Sequence, residues 1–270
     1  PGYGWITGII FAILLAGVII GGMPSIGSVT SKLVPFMATL YVGMAVIVLV
    51  SHYDQIGAAF EQIFIGAFTG AGVAGGFIGA LIQGLKRATF SNEAGVGSAP
   101  IAHSAVKTKE PITEGFVSLL EPFIDTVVIC TMTALVIIIS GMNTGALSGV
   151  TLTAAAFTET SFIFEYFLAL AVVMFAFSTM VSWSYYGLKA WTYLFGEGAT
   201  TELVYKGIFC LFVIVGTSIS FGAVIDFSDA AMFSMSIFNI IGLYYLMPIV
   251  KKELNSFVAR VNSGEIKRYK

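Results

Sequence analysis

The chain has 270 residues, 57% of them hydrophobic and only 10% charged, where an ordinary soluble domain carries roughly 25% charged residues. A water-soluble fold has nowhere to hide so much apolar surface, because much of any folded surface faces water; the composition excludes that class and leaves lipid as the solvent. The net charge of −2 decides nothing by itself, and the placement of the charges matters more.

A bilayer core about 30 Å thick takes roughly 20 apolar residues per helical span. In chain order the apolar runs predict spans at about 5–22, 34–51, 56–86 (interrupted), 117–140, 163–188, 204–221 and 228–250. Most are rich in Gly, Ala, Ser and Thr, the small residues that let helix backbones approach, so residues 1–250 are expected to form a packed transmembrane bundle and 251–270 a polar tail. If the seven spans alternate, all thirteen basic residues fall on one side: Lys32, Lys86, Arg87, Lys107, Lys109, Lys189, Lys206, Lys251, Lys252, Arg260, Lys267, Arg268 and Lys270. The opposite loops carry Asp54, Glu159 and Asp226 without a Lys or Arg. The positive-inside rule then predicts a multi-pass protein of the cell membrane with its basic loops and C-terminus in the cytoplasm. No signal peptide opens the chain at Pro1, which reads as a cut piece of something longer.

The third span holds the run GAFTGAGVAGGFIGALIQG at 66–84. Each interior glycine costs a helix about 1 kcal/mol relative to Ala, so a break is expected over 70–76. Membrane helices break where the freed backbone groups meet protein, a cavity or a ligand, as they do in transporters. Close packing seams between helices would produce the same glycines. Beyond the break Phe77, Leu81 and Gly84 share one face, an arrangement suited to a small cavity and equally to helix packing.

The fifth span contains FAFSTMVSWSYYG at 175–187, in which Ser178, Thr179, Ser182, Trp183 and Tyr186 line one face. The hydroxyls of Ser178 and Thr179 with the Phe175 carbonyl offer three oxygens to a hard cation, which needs further oxygens from elsewhere. Hydroxyls that bond their own helix or a neighbour would explain the same stripe. The most polar stretch within the bundle is 86–111, expected to be a connector with a short helix after Pro100; it lacks the GxxxxGK(S/T) pattern of a phosphate loop. Glu93 and His103 there have no partner at metal-ligand spacing, and Cys130 and Cys210 read as reduced apolar filler. Asp125 and Glu165 read as isolated carboxylates near span ends. With His52 and His103 on opposite sides and no nucleophile–base pair in any span, an intramembrane hydrolase has no support. A fragment that serves only in binding or assembly stays open.

The strings TFSNEAGVGSAPIAHSA (89–105) and EPFIDTVVICTMTALVIIISG (121–141) resemble the sodium:alanine symporter family, as do GGMPSIGSVTSKLVPFMATLY (21–41) and FAFSTMVSWSYYG. The resemblance runs in order over most of 5–250. It implies an importer of a small neutral amino acid, alanine or glycine, coupled to Na⁺ by alternating access, with no nucleic-acid partner. It also implies an all-α fold similar to the neurotransmitter:sodium symporters, built from two inverted five-helix repeats. In that scheme the third span is the broken first helix of the second repeat, and the fifth supplies hydroxyls to sodium. Gly75, Gly76, Phe77, Leu81, Gly84, Thr179 and Trp183 then resemble substrate-side residues, and Phe175, Ser178 and Thr179 the ion ligands. Relatives usually carry Thr-Thr where this chain has Ser178-Thr179, and Arg-Gly where it has Arg87-Ala88. The scheme also implies that the first repeat's broken helix and third helix lie outside these residues, so that the chain alone is unable to transport.

Overall fold

The structure is a computed structural model and describes residues 3–69 and 76–266. Its described helices are α1 (Gly4–Ile19), α2 (Gly22–Ser51), α3 (Ile56–Phe68), α4 (Gly76–Asn92), α5 (Ala99–His103), α6 (Pro111–Ile139), α7 (Gly149–Thr160), α8 (Ile163–Phe195), α9 (Ala199–Gly216) and α10 (Phe221–Ser263). No strand occurs among the described residues. Helices α2, α6, α8, α9 and α10 are long and apolar enough to cross a membrane, whereas α1 is a shorter apolar helix of 16 residues. The chain is an all-α polytopic membrane protein.

Several boundaries differ from the expected spans, for identifiable reasons. Helix α2 begins at Gly22 rather than near 34 because its polar residues are satisfied within the helix: Thr30 donates to the Ile26 carbonyl at 2.9 Å and Ser31 to that of Ser28 at 3.2 Å. The predicted outer loop 141–162 contains α7, whose Ala156 and Phe157 are buried. Helix α4 runs on through Thr89–Asn92, residues assigned from sequence to a connector. In α6, Pro122 removes a backbone donor, and the ladder continues as a π-helical stretch over Phe123–Cys130. Helix α10 has 43 residues, roughly 65 Å at 1.5 Å per residue, so the segment from Lys251 is helical as far as Ser263.

The third span does stop being one helix. Helix α3 ends at Phe68, Thr69 is extended, and both its amide and its hydroxyl bond the Ile65 carbonyl at 2.9 and 2.6 Å. Helix α4 begins at Gly76 with φ +60, a conformation that costs glycine little and any other residue more. Residues 70–75, and with them the expected break and Gly75, lie outside the described residues.

The chain divides into two compact units, residues 1–84 with 127–224 and residues 85–126 with 225–270. In the first, α8 packs against α2, α7, α9 and α1. One core joins Tyr41, Met44, Ala45 and Val48 of α2 to Val136, Ala156, Phe157, Phe164 and Leu168. The Tyr41 ring lies 5.6 Å from Phe157, and its hydroxyl is 2.5 Å from that of Thr133. A second core gathers Leu15, Ile19, Ile26 and Val181. Against α9, α1 presents glycine: a Cβ at Gly8 would lie 2.8 Å from the Ile214 Cα, and one at Gly4 2.3 Å from the Thr217 carbonyl oxygen. Small residues one turn apart let the two backbones touch, as membrane helix pairs require. The second unit is laced by polar contacts, among them a two-bond Arg260–Glu110 pair at 2.8 and 2.6 Å. That guanidinium holds the Glu110 carboxyl below the usual carboxylate range.

Gly8→Leu is expected to separate α1 from α9 and lower the thermal denaturation midpoint in detergent. Gly17→Leu on the same helix, where nothing lies within 4 Å, leaves the midpoint near wild type. Equal midpoints for the two variants would contradict this packing.

Candidate functional site

The hydroxyl stripe of α8 splits between two environments. Ser178 is buried against α2: its hydroxyl donates to the Phe175 carbonyl at 3.0 Å and also lies 3.6 Å from the Met37 Sδ. Two of the three oxygens proposed for a cation are thus together, and the serine proton is spent on its own helix. Thr179 lies one step round the helix and is exposed. Trp183 is half-buried, edge-on to Tyr186 with ring centroids 5.7 Å apart. A hydroxyl and a carbonyl 3.0 Å apart suit neighbouring corners of an oxygen shell, provided the hydroxyl turns its proton away.

The α4 set has other neighbours. Phe77 is 49% exposed and stacks on Phe68 at 5.3 Å, and Phe68 stacks in turn on Phe64. Leu81 is exposed, and Gly84 faces open space. The described contacts do not join Phe77, Leu81 and Gly84 to Thr179 and Trp183.

Residues passed over in the sequence form the densest polar geometry. Asp125 is not isolated, since it accepts a 2.5 Å hydrogen bond from Ser91, and Asn92 donates to Thr126 at 2.8 Å. Asp229 of α10, not counted among the carboxylates at span ends, is 4% exposed and takes both Lys86 and Arg87. The signal was available, because an ionisable residue inside an apolar span marks function by default. The SNEAG string is a helix stop. The Asn92 side chain accepts from the Ala94 amide at 2.9 Å, Glu93 sits at φ +55 with its carboxylate bonded by Ser98, and the Gly95 carbonyl accepts from Asn239 at 3.0 Å.

His103 has hydrogen-bonding partners supplied by the helix that follows. Its Nδ1 lies 2.7 Å from Glu114 and its Nε2 3.1 Å from Glu121. Only an imidazolium donates from both nitrogens. Burial alone would pull this imidazole down, but the bonds to Glu114 and Glu121 outweigh it and raise its pKa above the ordinary histidine value. The nitrogens face different carboxylates, and among the described residues no group of three His, Cys, Asp or Glu side chains is placed to hold a metal. His52 lies 3.0 Å from the Val48 carbonyl. Neither histidine's described partners include a serine or cysteine nucleophile.

The family model of the sodium:alanine symporter family matches residues 2–270. The chain belongs to the sodium:alanine symporter family. It is 40% identical over 257 residues to the sodium/alanine symporter AgcS of Methanococcus maripaludis, covering 93% of this chain and 56% of that protein. It is 32% identical over 263 residues to the probable sodium/glutamine symporter GlnT of Bacillus subtilis, covering 96% and 54%. The amino-acid carrier protein AlsT of the same organism is 31% identical over 261 residues, covering 96% and 56%. The chain spans about half the length of the curated relatives it matches. These relatives are named as carriers and symporters, not enzymes.

In this family member the raised pKa of His103 gives the connector a pH dependence with a definite sign. Stability from the charged triad is fully present below the unfolded-state pKa of about 6.5. It is lost as pH rises through the higher folded-state value. The His103 imidazole is expected to titrate above ~6.5 by NMR, with Glu114→Gln lowering its midpoint. Trypsin cleavage at the exposed Lys107 and Lys109 should quicken across the same pH range. An unshifted midpoint that ignores Glu114→Gln would contradict the triad.

Proposed function

We propose that this chain is the part of a Na⁺-coupled symporter that carries sodium ligands and one wall of the substrate pocket, in a carrier that imports alanine or glycine by alternating access. The observation that carries the reading is the Ser178 hydroxyl held 3.0 Å from the Phe175 carbonyl on α8, in a chain matched throughout by the family. Sodium is cargo here. Phe175, Ser178 and Thr179 offer it oxygens, and the remaining ligands belong to other helices of the carrier. A buried cation left short of ligands forfeits hydration energy it does not recover.

Gly75, Gly76, Phe77, Leu81 and Gly84 from the interrupted helix, with Thr179 and Trp183 from α8, form the substrate side in this reading. Support comes from α3 ending at Phe68, α4 starting at a positive-φ glycine, and the exposure of Phe77, Leu81 and Thr179. Aromatic walls exclude volume, which suits a small side chain. Segregation of all thirteen basic residues favours cytoplasmic basic loops and C-terminus in the cell membrane.

Uptake of labelled alanine by cells expressing the gene should require sodium. Thr179→Val keeps the shape and deletes one oxygen, so the half-maximal sodium concentration should rise about tenfold, roughly 1.4 kcal/mol, with membrane abundance unchanged. Ser178→Ala should act in the same direction. Unchanged sodium dependence in both would return the stripe to interhelical packing. Trp183→Ala should relax discrimination between alanine and leucine; unaltered discrimination would remove Trp183 from the pocket.

A further inference from the structure

The cation reading of α8 leaves one atom without a place, the proton of the Ser178 hydroxyl. A carbonyl oxygen has two lone pairs. In the unbroken helix α8 the Phe175 carbonyl offers one to the backbone ladder, and the Ser178 hydroxyl donates to it at 3.0 Å. A cation that binds this carbonyl together with the Ser178 oxygen takes the position of that proton, because a positive ion repels the hydrogen end of a hydroxyl. The hydroxyl must then turn about its Cβ–Oγ bond. Ser178 is buried, and a buried hydroxyl proton left without an acceptor costs free energy.

Helix α2 supplies a second acceptor. The Met37 Sδ lies 3.6 Å from the Ser178 Oγ, hydrogen-bond contact for an atom as large as sulfur, and Met37 is itself buried. A thioether accepts a hydrogen bond weakly and donates none, so it takes a proton turned toward it and otherwise competes little with the carbonyl. The register that brings it there is fixed by Tyr41, four residues along and on the same face of α2. The Tyr41 ring stands edge-on to that of Phe175 at 5.8 Å, and its hydroxyl is 2.5 Å from that of Thr133. Thr133 donates its own proton to the Ile129 carbonyl at 3.0 Å, so Tyr41 is the donor of the pair. Met37, Tyr41, Thr133, Phe175 and Ser178 all belong to one compact unit.

We infer that Met37 is a positioning residue for the sodium site: its sulfur receives the Ser178 hydroxyl proton when a cation takes the Phe175 carbonyl. No bond breaks, and the O–H vector swings from one acceptor to the other. The inference rests on the symporter reading, which supplies the ion. Met37 touches neither sodium nor substrate in this account and acts only through Ser178.

The test measures the sodium concentration for half-maximal alanine uptake by the protein as encoded by its gene. Met37→Leu keeps the volume and removes the acceptor, and should raise that concentration roughly threefold, within the range of one hydrogen bond. Met37→Gln offers a stronger acceptor, the amide oxygen, on a side chain of similar length, and should return it to the wild-type value or below. Packing alone predicts the opposite order, since leucine suits an apolar core better than glutamine does. In a Ser178→Ala background, which has no proton to place, Met37→Leu should change nothing further. An unchanged sodium requirement in Met37→Leu overturns the inference. So does a Met37→Gln protein that needs more sodium than Met37→Leu, or a Met37→Leu effect that persists without the Ser178 hydroxyl. Should Met37→Gln not accumulate in the membrane, Met37→Leu with and without Ser178→Ala decides. Failure of the symporter reading looks different: wild-type uptake then ignores sodium, or Ser178→Ala leaves the sodium requirement unchanged, and the inference falls with it.

Discussion

In the hydrocarbon of a bilayer a backbone amide or carbonyl finds no water, so a helix stops only where protein supplies the missing partners. Three irregularities among the described residues bear on that constraint. At the end of α3 the Thr69 amide and hydroxyl both take the Ile65 carbonyl. At the end of α4 the Asn92 side chain accepts from the Ala94 amide and Asn239 donates to the Gly95 carbonyl. After Pro122 the ladder reopens as π-helix, beside the Ser91–Asp125 and Asn92–Thr126 bonds. Such π segments are frequent at functional sites. Polar side chains are thus concentrated where backbone regularity fails.

The two units meet the same constraint with different chemistry. The unit containing α1, α2, α7, α8 and α9 is joined by aromatic and aliphatic packing around Phe157 and by glycine contact between α1 and α9. The unit containing α5 and the C-terminal end of α4 is joined by carboxylates: Asp125, Asp229, Glu110, Glu114 and Glu121 all have described partners. Apolar packing suits a scaffold that keeps one geometry. Ionic bonds between helices are few, directional and sensitive to protonation.

Much of this was legible in the sequence. Apolar run length marked the five helices long enough to cross a membrane, whereas the break expected over 70–76 falls outside the described residues except at Gly76, which already belongs to α4. Helix ends were less legible: Thr30 and Ser31 looked like loop residues but bond their own helix. Long-range polar pairing was not legible at all. Asp229 lies 142 residues from Arg87, and nothing local to either names the other. His103 lay only 11 and 18 residues from its glutamates, yet the turn that brings them together is made by α5 and Pro111. For the α8 stripe, sequence left cation binding and helix capping open. The geometry brings the Ser178 and Phe175 oxygens together in a bond that serves the helix as it stands.

The central claim is that α8 carries the ion. The most direct measurement is the anomalous density of thallium(I), a heavy monovalent stand-in for sodium, in crystals of the protein grown with alanine. The account predicts a peak in contact with the Ser178 hydroxyl and the Phe175 carbonyl, with the Thr179 hydroxyl turned toward it, and loss of that peak when sodium is added in excess. A sodium-displaceable peak elsewhere in the protein, with none beside Ser178, would contradict it.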